Sequence, residues 1–308
     1  MLENSASQKE KSSAKIGQKN LGLDSLGKYL SMVKFSHTIF AMPFAFIGFF
    51  LAIQINSISL DWTLLAKVIL CMIFARNAAM GFNRWADRSI DLENPRTAIR
   101  EIPSGMIKAN SALWFVIINA GLFIATTYFI NTLCFYLSPV ALLVVLGYSL
   151  TKRFTALCHL ILGLGLALAP IGAYLAVTGR FDILPLFFSF AVLFWVSGFD
   201  VIYALQDEEF DREHKLSSIP VWLGKTNALR LSTSLHLICG SLIIAAGFVG
   251  HFGMWYWIGA SIFNILLVYQ HMLVKPNDLS RVNLAFFTTN GIASVTFAIF
   301  VIADLLLQ

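Results

Sequence analysis

Asn83, Asp87 and Asp91 stand four residues apart where an apolar run ends, and Tyr203, Asp207 and Asp211 repeat that spacing at the end of another. At 3.6 residues per turn, a step of four lines each trio up along one helical face. Neighbouring carboxylates on such a face repel by roughly a few tenths of a kcal/mol per pair. A divalent cation reverses that sign. Carboxylate and amide oxygens are hard ligands, and an incomplete shell of them, with positions left for water and phosphate oxygens, is what Mg²⁺ prefers. Two such trios facing each other across a bundle could hold a diphosphate between metal ions.

The distribution of acids supports a site. The chain has 17 Asp and Glu residues. Asp87, Asp91, Glu93 and Glu101 form one group, and Asp200, Asp207, Glu208, Glu209, Asp211 and Glu213 form another. Asp87 and Asp91 recur as Asp207 and Asp211 at an offset of 120 residues, and Ile102-Pro103 and Ile219-Pro220 follow at a similar distance. A weak internal duplication of a helix-pair unit produces that pattern. A lone D-x-x-x-D is commonly a solvated anchor. Two copies, each joined to an apolar span and flanked by arginine, point to function, because acids near a bilayer are costly.

The elements that must position these residues are membrane helices. With 57% apolar and 13% charged residues, the chain lies far from soluble composition and reads as an integral membrane protein. A bilayer core about 30 Å thick needs about 20 apolar residues per helix. Nine runs meet that need, at 36–54, 62–83, 110–130, 132–150, 156–177, 183–204, 228–249, 253–274 and 284–306. They are too long and too uniformly apolar for barrel strands. Basic residues gather before the first run and after the second, fourth, sixth and eighth, with Arg180 alone in a loop opposite, so the N-terminus and both acid groups are expected on the cytoplasmic side. The +5 net charge is then mainly topological and argues no nucleic-acid partner. Residues 1–28 read as a polar, mobile tail, and 29–308 as one membrane domain. The tail lacks the apolar core and cleavage site of a signal peptide. Cys71, Cys134, Cys158 and Cys239 fall inside runs without metal-ligand spacing and read as structural thiols. Lys67 is expected to snorkel, and His37 to be a satisfied helix-start histidine.

The stretches "NRWADRSIDLENPRTAIREIPSG" and "GFDVIYALQDEEFDREHKLSSIPVWLG" resemble the two aspartate-rich motifs of the UbiA superfamily of intramembrane aromatic prenyltransferases. In the first motif, N-D-x-x-D-x-x-x-D, Asn83, Asp87 and Asp91 match, and Arg84 stands where an acid is usual. The second, D-x6-D-x3-D, is met by Asp200, Asp207 and Asp211. A Y-x-x-x-K element is met by Tyr148 and Lys152, and "KFSHTIFAMPFA" is similar to the family's first helix. The resemblance covers about residues 30–306. It implies an all-α polytopic membrane protein, with nine transmembrane helices around a central cavity under a cytoplasmic cap of motif loops.

The resemblance also implies a chemistry. A Mg²⁺-dependent transferase of the bacterial inner membrane would move a polyprenyl group from polyprenyl diphosphate to an aromatic carboxylate in quinone biosynthesis. 4-Hydroxybenzoate is the first expectation, and a 1,4-dihydroxynaphthoate on a menaquinone route the alternative. Asn83, Asp87, Asp91, Asp207 and Asp211 are expected to hold the metal, and Arg76, Lys34, Tyr148, Lys152 and Arg88 to bind the diphosphate. Asp200, two helical turns before Asp207, is expected on the acceptor side or acting through a neighbouring group, with a structural hydrogen-bonded acid as the alternative. A cation-coupled transporter is the alternative from another class, but its acids would lie near the midplane of broken spans.

Overall fold

The computed structural model describes residues 27–33 and 40–307. Lys34, His37 and nearly all of the 1–28 tail lie outside the described residues, so the expectations placed on them do too. Among the described residues the long helices are α1 (Met42–Ile55), α2 (Trp62–Ala86), α4 (Ala109–Tyr128), α5 (Thr132–Thr151), α6 (Cys158–Thr178), α7 (Ile183–Ala204), α9 (Ile219–Val249), α10 (Met254–Leu273) and α11 (Asn290–Leu307). Two six-residue helices, α3 (Arg88–Glu93) and α8 (Glu208–Glu213), follow α2 and α7. Each apolar run of the sequence therefore overlaps a helix among the described residues. Seven of the described helical segments are long and apolar enough to cross a membrane; α1 is shorter, and α10 is not among the seven.

Several helix ends are satisfied by side chains, some local and some from a neighbouring helix, as lipid demands. The Asp61 carboxylate accepts from Thr63 N–H at 2.7 Å and Leu64 N–H at 3.2 Å, starting α2. Asn131 Oδ1 accepts from Cys134 N–H at 2.8 Å, starting α5. The N-terminus of α10 has no cap of its own; Asp304, reaching over from α11, accepts from Gly253 N–H at 2.8 Å and Tyr256 N–H at 3.2 Å. Lys67, expected to snorkel, reaches a helix end. Its Nζ donates to Phe129 O at 2.9 Å and satisfies a carbonyl left open at the end of α4.

Small residues let the helices approach closely, which stands in for the missing hydrophobic drive inside a membrane. Gly48 of α1 lies against the backbone of Pro170 in α6, where a Cβ would fall 2.0 Å from the Pro170 carbonyl oxygen. Gly163 of α6 meets Leu193 and Ser197 of α7 in the same way. An aromatic core of Phe44, Phe188, Trp195, Phe263 and Phe297 joins α1, α7, α10 and α11. Within it the Trp195 Nε1–H donates to Asn290 Oδ1 at 3.0 Å, so the indole carries no unpaired donor.

Two readings of helix extent are corrected. The run at 228–249 is the apolar part of a longer helix that begins at Ile219 and bends at Gly224, where φ is 74° and ψ 162°. Lys225, Thr226, Asn227 and Arg230 hide this extension from a hydropathy count. The acid trios, moreover, do not lie on uninterrupted helices: α2 stops at Ala86 and α7 at Ala204, followed by a 3₁₀ turn over Leu205–Asp207.

Candidate active site

The two interruptions are the same structure made twice. Asp87 has φ −89° and ψ 5°, and Asp207, 120 residues later, has φ −103° and ψ 4°. Both sit in the sparsely populated bridge region that active-site residues often occupy. At the first break the i to i+4 ladder nonetheless continues, with Asp87 N–H donating to Asn83 O at 3.0 Å and Asp91 N–H to Asp87 O at 2.7 Å. Each break is followed by a six-residue helix carrying the next acid, Asp91 or Asp211.

These breaks bring the two halves to one mouth. Arg96, in the segment between α3 and α4, forms an ion pair with Asp207, with Nε 2.9 Å from Oδ1, and its Nη1 donates to Tyr203 OH at 3.2 Å. Asn94 Nδ2 donates to the same Asp207 oxygen at 3.3 Å. Burial works against the Arg96 charge, but the hydrogen bonds and charge of Asp207 outweigh it and raise its pKa above the ordinary value. On the other side Asp87 accepts from Asn83 Nδ2 at 3.2 Å, and lies 3.5 Å from Lys152 Nζ and 3.3 Å from Arg153 Nη2. Asp91 is paired with Arg100 at 2.7 Å. His159 Nδ1 is 2.7 Å from Asp200 Oδ2.

Beneath the mouth lies a cavity of about 650 Å³. Its charged end is lined by Asn83, Asp87, Asp91, Tyr148, Asp200, Asp207 and Asp211, and by Arg76, Arg84, Arg96, Arg100 and Lys152. The other end is apolar, with Phe123, Ile130, Leu137, Val140, Val144, Leu175 and Phe181 among its lining. Val140 is 58% and Phe181 57% exposed, so that part of the wall is shared with the outer surface of the bundle. At the far side from the acids, Arg180 Nη2 donates to Asn56 Oδ1 at 2.7 Å, and Tyr174 OH to Asp182 Oδ2 at 3.1 Å.

The charge balance bears on what the mouth accepts. Among the described lining residues five carboxylates face five guanidinium or ammonium groups. A diphosphate added to such a neutral site needs further positive charge. The donor set suits a divalent metal that keeps part of its shell for phosphate oxygens and water. Among the described residues no three acid, histidine or cysteine side chains converge to cage a metal alone, yet Asp91 Oδ2 is buried without a hydrogen-bond partner. An orphaned carboxylate oxygen is uncommon and fits a place for a cation. Asn83, Asp87 and Asp91 from one half, and Asp207 and Asp211 from the other, could hold it.

Comparison with known proteins settles the family. The UbiA prenyltransferase family matches residues 41–292. The chain belongs to that family. Among curated UbiA relatives, the 4-hydroxybenzoate octaprenyltransferase of Nitrosomonas europaea is 32% identical over 241 residues, which cover 77% of this chain and 81% of that one. That of Aliivibrio salmonicida is 30% identical over 241 residues, covering 77% and 83%. Among solved structures, the apo UbiA homolog from Aeropyrum pernix K1 has a TM-score of 0.75 at 28% identity, covering 88% of this chain and 97% of the other. The UbiA homolog from Archaeoglobus fulgidus bound to DMAPP and Mg²⁺ has a TM-score of 0.70 at 21% identity, covering 91% and 100%, and shows the shared fold.

Within this UbiA site the structure brings together Arg76, Asn83, Asp87, Asp91, Tyr148, Lys152, Asp200, Asp207 and Asp211. It does not bring in Arg88, which does not line the cavity: its Nη1 donates to Trp85 O at 2.6 Å and its guanidinium lies 4.8 Å from the Trp85 ring centroid. Arg88→Ala is accordingly expected to change kcat/KM by less than about two-fold, well under 1 kcal/mol, when donor turnover is assayed beside the unmodified protein. Arg84 replaces the usual acid and is buried, with Nη1 3.4 Å from Asn83 Oδ1. Sequence reading did not single out Arg153, Asn94 or His159 for the site. Arg153 follows Lys152 directly, so the Y-x-x-x-K element was the available signal. Nothing local marks His159, whose partner is 41 residues away.

Proposed function

We propose that the protein transfers a polyprenyl group from a polyprenyl diphosphate to an aromatic acid, 4-hydroxybenzoate first, at the cytoplasmic face of the bacterial inner membrane. The observation that carries this reading is the single cavity whose charged mouth is lined by both acid motifs and whose remainder is apolar. An amphiphile with an anionic head and a greasy tail matches that shape. The names of the curated relatives favour 4-hydroxybenzoate, and membership of a prenyltransferase family speaks against the transporter reading.

In this proposal Asn83, Asp87, Asp91, Asp207 and Asp211 hold Mg²⁺, which when bound offsets the negative charge that builds on the leaving diphosphate. Arg76, Lys152 and Tyr148 contact the diphosphate oxygens directly. The bond between the prenyl C1 and the diphosphate oxygen breaks, and its electron pair leaves with the diphosphate. A ring carbon of the acceptor forms the new bond to C1, and its proton passes to Asp200. The apolar lining excludes water from the allylic cation. Phe199, Phe286 and Tyr203 line the cavity, and aromatic rings near a cation stabilise it.

The test is an acceptor panel. Purified protein with Mg²⁺ and a polyprenyl diphosphate is expected to prenylate 4-hydroxybenzoate, read by mass spectrometry of the extracted product. Prenylation of a 1,4-dihydroxynaphthoate in its place would move the protein to the alternative acceptor. No prenylated ring from either would overturn the assignment.

A further inference from the structure

We propose that His159 is a positioning residue that fixes the Asp200 carboxylate for the acceptor half of the reaction, an inference that rests on the functional reading above. His159, near the start of α6, and Asp200, on α7, both line the cavity, the histidine side chain 5% exposed and the carboxylate 22%. The imidazole has two partners of fixed polarity. Ile219 N–H, the first amide of α9, points at Nε2 from 3.3 Å. A backbone amide can only donate, so Nε2 is the bare nitrogen and the ring's proton sits on Nδ1. Nδ1–H then donates to Asp200 Oδ2 at 2.7 Å.

Both contacts are anchored further. Ser197 Oγ, with one proton to share, lies 2.7 Å from Leu193 O and 3.2 Å from the His159 carbonyl. Ser217 N–H, two residues before Ile219, donates to Lys152 O at 2.7 Å, so the end of the second acid motif is tied to the strip that carries Lys152. One ring thus satisfies an orphan donor at a helix start and occupies one oxygen of a cavity-lining acid. The other oxygen remains for the acceptor. A ring with the opposite tautomer, or one protonated at both nitrogens, would place a proton against the Ile219 amide.

The test uses the full chain in detergent. His159→Leu removes both contacts, His159→Gln keeps one acceptor and one donor, and Asp200→Asn removes the charge that the histidine orients. His159→Leu is expected to lower kcat at least about ten-fold, with KM for the prenyl diphosphate within about two-fold. His159→Gln is expected to recover most of that loss. The double variant His159→Leu/Asp200→Asn is expected to be no slower than Asp200→Asn alone, because groups acting as one unit are not additive. Unchanged kcat in His159→Leu, or full additivity in the double variant, would overturn the proposal. A ¹⁵N-histidine spectrum of the unmodified protein, with His159 identified by its loss in His159→Gln, is expected to show a proton on Nδ1 only. A proton on Nε2 would overturn the inference whether or not any variant folds. If the unmodified protein prenylates no aromatic acid, the functional reading falls first, while the tautomer still decides whether the pair is built as described.

Discussion

Asp87→Ala and Asp207→Ala are each expected to reduce prenyl transfer at least about 10³-fold, roughly 4 kcal/mol of transition-state stabilisation. Asp87 answers Asn83, Lys152 and Arg153 together, and Asp207 answers Arg96 and Asn94. On the proposed function, removing either carboxylate would take a ligand from the metal, and it leaves Lys152 and Arg153, or Arg96, without their acid. Binding of donor and its ionisation therefore fail together. Asp87→Asn keeps size and hydrogen bonding but loses charge, which separates the metal role from packing. It is expected to lose turnover while raising the Mg²⁺ concentration needed for half-maximal rate. Size-exclusion profiles and thermal unfolding in detergent show whether the fold survives. Turnover within ten-fold of the unmodified protein in a folded Asp87→Ala would remove the metal assignment.

Gly48→Val is expected to cost the fold about 3 kcal/mol or more, the upper end of the overpacking range. A Cβ at Gly48 would fall 2.0 Å from Pro170 O, 2.8 Å from its carbonyl carbon and 2.9 Å from its Cα. These are backbone atoms, and no rotamer change relieves the clash. α1 and α6 would have to separate, opening a wall of the cavity near Ala169 and Ala173. Thermal unfolding in detergent reads the effect as a large drop in midpoint and a loss of monodisperse protein. Gly121→Val is the control, since a Cβ there meets nothing within 4 Å. An equal loss in both variants would mean that close approach of α1 and α6 is not what holds them.

Much of this architecture is legible in the amino-acid chain because lipid imposes a severe rule: a long apolar run must be a helix, or its amides go unpaired. The positions of the helices and the pairing of Asp87 with Asp207 follow from that rule and from the fixed offset. The helix breaks do not, for neither "RWADRS" nor "ALQDEE" contains a glycine or proline to announce an interruption. The start of α9 is masked by polar residues on a helix that extends beyond its apolar stretch. Contacts such as Arg96 with Asp207 and Arg153 with Asp87 span 111 and 66 residues. Only folding brings these partners together. Arg88 shows the converse, since its place in a motif suggested the mouth, while a tryptophan three residues earlier offered it a carbonyl and a ring face.

The apolar end of the cavity shares Val140 and Phe181 with the bundle's outer surface. On the proposed function, a hydrocarbon chain too long for the interior would leave past these two side chains, sideways among the acyl chains of the bilayer. On that same reading, selection would then act on the head of the donor, and product length would become a property of whichever isoprenoid pool the cell supplies.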